Sequence, residues 1–113
     1  HRALGCVGTV TNGGVRDLDE VEQLGFHLFA SQVHVSHAYV HVVEIGTPVE
    51  VGGLTVHPGD LLHGDKHGVI QIPLEIAPDL FRAAKEVEAR ERRIIEVCQS
   101  PDFSIEKLSE LYG

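Results

Sequence analysis

The sequence predicts an α/β fold, and three observations support that prediction. Short apolar or β-branched segments recur between glycine- and proline-containing turns over residues 5–72. An amphipathic stretch, residues 17–24, separates the first two of these segments, as a helix does between two strands. After Pro73 the pattern changes to apolar residues at helical spacing.

The first predicted strand covers residues 5–10, which are apolar enough for burial on both faces. Asn12-Gly13-Gly14 then predicts a turn. From Asp17 onward the apolar residues are spaced by three, which suits a short helix. Gly25 is placed to end that helix, because glycine adopts the left-handed conformation common just past a helix.

Short apolar segments continue the strand pattern and predict strands at residues 27–30, 38–45, 48–51, 54–56, 60–64 and 68–72. Residues 38–45 are rich in β-branched side chains and form the clearest strand of the middle region. Gly52-Gly53 predicts a tight hairpin. The sequence from His57 to Asp60 predicts a turn, since proline presets φ and glycine permits a positive one.

The last third of the chain predicts helices. Pro78 suits the first turn of a long amphipathic helix over residues 78–98, which ends before Ser100-Pro101. A short terminal helix is predicted at residues 104–111. We expect these helices to dock on another surface, for example that of a neighbouring subunit.

The composition predicts one domain of residues 1–113 in the cytoplasm. Seventeen acidic against nine basic residues give a formal charge of −8, which argues against nucleic acid and anionic membranes as partners. No apolar run has transmembrane length, and the first residues lack a signal-peptide pattern. Cys6 and Cys98 lie in apolar patterns, which predicts buried free thiols.

The chain begins with His1 and contains no methionine. It also opens almost directly on a segment that resembles an interior strand. We therefore expect that sequence preceding His1 is missing.

Arg16-Asp17 supports two hypotheses that do not exclude each other. Asp17 followed by Glu20 fits the capping box, with aspartate at the N-cap and glutamate three residues on. Alternatively, the pair forms part of a binding site. Its position after a strand and a glycine-rich turn is where α/β proteins bind small ligands.

The residue types at this position suit a metal-bound keto acid. Gly13 and Gly14 would let a ligand approach the backbone amides. Arg16 offers a bidentate fork for a carboxylate, and Asp17 offers oxygen to a hard divalent cation.

The histidines suggest zinc as a further hypothesis. Their positions, in two groups, are His34, His37, His41, His63 and His67. Neither zinc-finger spacing nor HExxH is present, and no cysteine joins the groups. Scattered polar or interface histidines that respond to pH are the alternative interpretation.

Two segments resemble the RraA-like family, which includes 4-hydroxy-4-methyl-2-oxoglutarate aldolases and regulators of ribonuclease activity; its members were often misnamed demethylmenaquinone methyltransferases. The segments are "GCVGTVTNGGVRDLDEVEQLGFHLFA" and "PVEVGGLTVHPGDLLHGDKHGVIQIP". The first resembles the family's strand, D-G-x-x-R-D turn and helix, and the second its long P-V-x-(I/V)-G-G motif. The resemblance extends over about residues 3–98.

The resemblance implies a swivelling β/α sandwich, here truncated at its N-terminus, in a homotrimer or hexamer. It further implies a metal-dependent pyruvate aldolase that cleaves 4-hydroxy-2-oxo acids, or an oxaloacetate decarboxylase. In that activity Asp17 helps to hold Mg²⁺ or Mn²⁺, and Arg16 contacts the pyruvyl group. The alternative is a non-catalytic module that binds a protein partner, as the ribonuclease regulators do.

The chain departs from the family pattern at several positions. Asn12 replaces the usual aspartate, His27 the usual proline, and His67 an acidic residue. No segment resembles the upstream glycine-rich loop that contributes to the family's site. We therefore expect one wall of an active site, with weak activity or none unless the other half is supplied, and an inactive structural fragment is a third hypothesis.

Overall fold

The computed structural model describes residues 1–112, which form two compact units divided after Pro73. The first unit contains six strands and one α-helix: β1 Gly8–Val15, α1 Leu18–Gln23, β2 His27–Val33, β3 Val49–Val51, β4 Leu54–Val56, β5 Leu61–Asp65 and β6 Gly68–Ile72. The second contains α2 Leu80–Gln99 and α3 Ile105–Ser109. Short 3-10 turns precede each unit's first long element, at Arg2–Leu4 and Ala77–Asp79. This mixture of helices and strands agrees with the predicted α/β class.

β1 and β2 are parallel and are connected through α1. Their register runs from Gly8 opposite His27 to Val15 opposite Val33, with an irregularity between Thr11 and Gly14. The predicted turn at residues 12–14 is therefore wrong. Those residues continue β1, because the extra residue is absorbed as a bulge.

α1 ends as its sequence predicts. Gly25 has a φ of 64°, and its N–H donates to the Glu22 carbonyl at 2.8 Å. This left-handed conformation carries little steric cost in glycine. The helix therefore stops within one turn of β2, and the chain re-enters the sheet beside β1.

The other four strands form two antiparallel hairpins, both at predicted positions. β3 pairs with β4 around Gly52 and Gly53, whose φ values of 58° and 82° match a type I′ turn. β5 pairs with β6 around Lys66 and His67. The predicted turn before β5 is also present, since Asp60 Oδ2 accepts the His57 N–H at 2.7 Å.

The predicted strand at residues 38–45 is wrong. Residues 34–48, called here the 34–48 segment, contain neither helix nor strand. Its apolar side chains are exposed, with Val35 at 98% and Ile45 at 87%. β-branched composition favours a strand only where a neighbouring edge accepts its backbone hydrogen bonds, and the described chain places no such edge beside this segment.

None of residues 1–112 is buried. β1 contains only half-buried and exposed residues, so the prediction that the first strand is covered on both faces is wrong. Cys6 and Cys98 are exposed rather than buried. Both predictions assumed a closed core, and the two-stranded sheets leave their apolar faces open.

The second unit is helical, as predicted for this part of the sequence. Pro78 lies in the turn that leads into α2, and α2 ends at Gln99, directly before Ser100-Pro101. Ser104 caps α3, since its Oγ accepts the Lys107 N–H at 3.3 Å. No helix in the described residues is long and apolar enough to cross a membrane.

Candidate functional site

Arg16 and Asp17 lie between the end of β1 and the start of α1. The Arg16 Nε–H donates to Asp17 Oδ2 at 3.1 Å. Both side chains are about half exposed, at 46% and 57%. The structure therefore brings the two predicted site residues together at the carboxyl end of a parallel strand, where the pair is open to a ligand.

Asp17 has a left-handed backbone, with φ 56° and ψ 43°. Among residues 1–112 it is the sole non-glycine residue with a positive φ. Aspartate tolerates this conformation better than most residues, but it still costs on the order of 1 kcal/mol. Strained backbone of this kind is concentrated at functional sites.

The capping prediction is half right. Asp17 occupies the N-cap position, and its carbonyl accepts the Val21 N–H at 3.0 Å. Its carboxylate makes no capping hydrogen bond to the helix, so the predicted capping box is wrong. Side chains that cap do so from an extended backbone, whereas Asp17 is left-handed. The carboxylate pairs with Arg16 instead.

Asn12 joins β1 to the β3–β4 hairpin. Its Nδ2 donates to the Glu50 carbonyl at 2.9 Å, and its Oδ1 accepts the Gly52 N–H at 2.7 Å. An aspartate at this position would keep the acceptor and lose the donor. Asparagine can therefore bind a backbone carbonyl and a backbone N–H of the hairpin at the same time, whereas aspartate cannot. This link lies four residues before Arg16.

The β1 bulge is fixed by two hydroxyl groups. Ser31 Oγ lies 2.6 Å from the Asn12 carbonyl and 3.1 Å from that of Gly13, and donates to them. The Gly13 N–H donates to Thr11 Oγ1 at 3.0 Å. A Cβ on Gly14 would lie 1.8 Å from the His34 ring, so a larger residue there would displace that side chain. These contacts set where the chain leaves β1 and enters Arg16-Asp17.

A groove of 870 Å³ opens between the strands of the first unit. Side chains from β2, both hairpins and the Asn12 region line it, including Leu28, Phe29, Leu54 and Val69. Arg16 and Asp17 are not among its lining residues. The candidate site and the groove are therefore separate features.

Asp65 is one of the residues that line this groove, and it lies between two histidines. Its Oδ1 accepts the His67 backbone N–H at 2.8 Å, and its Oδ2 is 3.2 Å from His67 Nδ1 and 3.8 Å from His63 Nε2. The hydrogen bond from the His67 backbone is the first cause that lowers the pKa of the Asp65 carboxyl below 3.8, and the His67 side chain adds to it. Within residues 1–112 no cluster of three or more His, Cys, Asp or Glu is arranged to hold a metal ion, so the geometry does not support zinc at the histidines.

Asp17 alone would supply a divalent ion with a single carboxylate. Mg²⁺ commonly keeps several waters and binds a protein through one or two carboxylates. An exposed carboxylate at 57% exposure is compatible with such a hydrated ion. Asp17 is therefore compatible with a hydrated divalent ion, most of whose ligands would come from water or substrate.

Comparison with known proteins identifies the fold family. The family described as "RraA-like: Aldolase/RraA" matches residues 1–71, which is more than half of the chain. The chain belongs to the RraA-like family. The fold and family implied by the two sequence motifs are thereby confirmed.

Individual relatives cover most of this chain. A crystal structure of an uncharacterized protein from Pseudomonas syringae pv. tomato superposes with a TM-score of 0.72 at 33% identity, over 96% of this chain and 56% of that chain. An uncharacterized protein from Methanocaldococcus jannaschii is 34% identical over 81% of this chain and 45% of its own length. A Halalkalibacterium halodurans protein, provisionally named a 4-hydroxy-4-methyl-2-oxoglutarate aldolase, is 30% identical over 95% of this chain and 53% of its own length. The chain thus spans about half the length of the curated relatives that it matches.

Asn12 and Ser31 are functional-site neighbours that the sequence did not predict as contacts. They are 19 residues apart, and their link depends on the parallel pairing of β1 with β2. The replacement of an expected aspartate by Asn12 was the available signal. This replacement indicates that residue 12 has a different role here than in the family, but it does not predict that Asn12 binds the β3–β4 hairpin.

Proposed function

We propose that this chain carries the Arg16–Asp17 part of a divalent-metal-dependent pyruvate aldolase active site, with oxaloacetate decarboxylation as a related activity. The observation that carries the proposal is the geometry of this pair. A strained aspartate at the end of β1 points its carboxylate away from helix capping and toward an arginine. Membership of the RraA-like family and the name of the H. halodurans relative support the substrate class.

The chemistry requires stabilisation of a pyruvate enolate. In aldol cleavage of a 4-hydroxy-2-oxo acid, the 4-hydroxyl loses its proton, the C3–C4 bond breaks and its electron pair forms the enolate of pyruvate. Loss of CO₂ from oxaloacetate leaves the same enolate. A Mg²⁺ or Mn²⁺ ion held by Asp17 would supply Lewis-acid polarisation of the keto oxygen.

Arg16 has a separate task in this proposal. Its guanidinium would bind the carboxylate of the keto acid or the developing enolate oxygen, which are both anionic. The hydrogen bond to Asp17 holds the guanidinium beside the proposed metal ligand. Arg16 therefore orients the substrate while the carboxylate of Asp17 remains accessible from the other side.

The proposal predicts metal-dependent pyruvate release by the protein carrying residues 1–113. With 4-hydroxy-4-methyl-2-oxoglutarate or oxaloacetate as substrate, EDTA should abolish pyruvate formation and added Mg²⁺ or Mn²⁺ should restore it. Arg16→Lys should raise KM, because lysine keeps the charge and loses the bidentate fork. Activity that is unchanged by EDTA would contradict metal dependence.

Protein binding is the second candidate function, as in a regulator. The open apolar surface of the described chain favours it, since exposed apolar patches commonly mark interaction sites. One variant distinguishes protein binding from aldolase activity. A regulatory complex should survive Asp17→Asn, whereas aldolase activity should be lost.

A further inference from the structure

The proposed cleavage requires a proton carrier that Arg16 and Asp17 do not supply. A base must take the proton of the 4-hydroxyl, and an acid must then protonate C3 of the pyruvate enolate. The guanidinium of Arg16 stays protonated in proteins, and the carboxylate of Asp17 is assigned to the metal ion. A further side chain is therefore needed within reach of the same substrate.

His34 lies at the same edge of the β1–β2 pair as Arg16 and Asp17. Val15 and Val33 are register partners at the ends of the two parallel strands, so residues 16 and 34 leave the sheet side by side. The His34 backbone N–H donates to the Val15 carbonyl at 2.8 Å, which extends the pairing by one residue. This hydrogen bond fixes His34 where the chain leaves β1 toward Asp17.

The imidazole of His34 lies over the glycine end of β1. A Cβ on Gly14 would lie 1.8 Å from Cδ2 and 2.5 Å from Nε2 of the ring, so the ring occupies the space that a side chain at residue 14 would fill. Gly14 and Asp17 are three residues apart, and three residues span at most about 11 Å. A keto acid bound to a hydrated ion spans a comparable length, so one substrate can contact both the ring and an ion at Asp17.

Packing alone does not account for an imidazole at residue 34. The residue is exposed, so its ring removes little apolar area from water. The link to β1 uses the backbone N–H, which every residue type except proline provides. What histidine adds is a side chain that exchanges a proton near neutral pH.

We propose that His34 transfers the proton in the Arg16–Asp17 site, an inference that rests on the proposed aldolase function. A neutral ring nitrogen takes the 4-hydroxyl proton, the O–H electron pair forms the new carbonyl, and the C3–C4 pair passes into the enolate. The imidazolium then returns the proton to C3, which yields pyruvate and neutral histidine. After loss of CO₂ from oxaloacetate, the imidazolium protonates C3 in the same way and water restores its proton.

Two rates test this transfer. His34→Gln keeps a polar side chain and cannot carry a proton, so kcat for pyruvate release should fall about 100-fold with little change in KM. Exchange of the pyruvate methyl protons with D₂O measures proton transfer at C3 and should slow similarly. Imidazole added to His34→Ala should restore part of both rates. His37→Gln, the same change three residues along the exposed segment, should leave both unchanged.

Gly14→Ala tests the position of the ring with His34 itself intact. The new Cβ would displace the imidazole, so this variant should also lower kcat. In the His34→Gln background it should have little further effect, because both changes act through one ring. Additive losses from the two changes would overturn the placement of the ring beside the substrate.

Failure of this inference is distinguishable from failure of the proposed function. If EDTA and Asp17→Asn abolish pyruvate release while His34→Gln keeps the wild-type kcat and exchange rate, another group carries the proton and the inference is overturned. If pyruvate release is absent, or is unaffected by EDTA and by Asp17→Asn, the proposed function fails and the inference fails with it.

Discussion

At the residue scale, Asp17 shows what sequence can and cannot predict. Adjacency of Arg16 and Asp17, and their place between a strand and a helix, followed from the pattern of apolar residues. The left-handed backbone did not, because it depends on how the β1 bulge delivers the chain to α1. The capping box failed for that same reason.

The left-handed backbone of Asp17 predicts that two small substitutions differ in their effect on stability. Asp17→Gly should be neutral or stabilising, because glycine adopts this φ without steric cost. Asp17→Ala should be less stable than Asp17→Gly by about 1 kcal/mol, since alanine has a Cβ in the left-handed region. Chemical denaturation of both variants measures the difference. Equal stability would show that residue 17 is not held at positive φ.

The two hydrogen bonds of the Asn12 side chain predict that replacing it with aspartate lowers the stability of the protein. Asn12→Asp removes the donor to the Glu50 carbonyl and places a carboxylate beside that oxygen, which should cost about 1–3 kcal/mol. Gln23→Glu makes the same amide-to-acid change on α1 and serves as the control. Urea denaturation at pH 7 compares them. Similar midpoints for the two variants would contradict the link between Asn12 and the hairpin.

The lowered pKa of Asp65 predicts that the stability of the protein depends on pH in the acidic range. Its pKa lies below 3.8 because the His67 backbone N–H, first, and then the His67 side chain bind the carboxylate. A depressed native pKa adds stability above the unfolded value, and this is lost as pH falls through the native pKa. The NMR signal of the Asp65 carboxyl should therefore titrate below the ordinary range of an aspartate. His67→Ala should raise the titration midpoint of Asp65 only partly, because the backbone N–H of residue 67 still donates to the carboxylate. A wild-type midpoint at or above the ordinary value of an aspartate would contradict the hydrogen bonds assigned to Asp65.

At the element scale, local turn chemistry was predictable and long-range pairing was not. Gly52-Gly53, the turn at Asp60 and the stop at Gly25 were predicted because each depends on a few neighbouring residues. β1 was predicted to end too early, since its glycines suggested a turn while Ser31 on β2 holds them in a strand. Residues 38–45 fail as a strand for lack of a neighbouring edge.

Gly64 on β5 lies close to the Phe29 ring on β2, which predicts that a methyl group added at residue 64 lowers stability. A Cβ on Gly64 would lie 2.5 Å from the Phe29 ring, so Gly64→Ala should destabilise the first unit by about 1–3 kcal/mol. Adding Phe29→Leu should recover part of the loss by removing the ring. Thermal denaturation of the single and double variants measures both effects. A double variant less stable than the sum of the two single changes would contradict the contact.

At the scale of the whole molecule, the sequence predicted the family and could not predict the open surface. The motifs around Arg16 and Gly52 identify an RraA-like chain because they combine turn residues at fixed spacing. Burial predictions for Cys6 and Cys98 failed because apolar patterns indicate a face that prefers burial, whether or not a partner layer is present.

The central claim is that the carboxylate of Asp17 serves a metal-dependent reaction. The most direct test is kcat/KM for pyruvate release with saturating Mg²⁺, compared between Asp17→Asn and Asp19→Asn. Asp19 is an acidic residue of the same first helical turn and controls for charge. We predict a loss on the order of 100-fold or more for Asp17→Asn, with little change for Asp19→Asn. Equal activity of the two variants would contradict the proposed function.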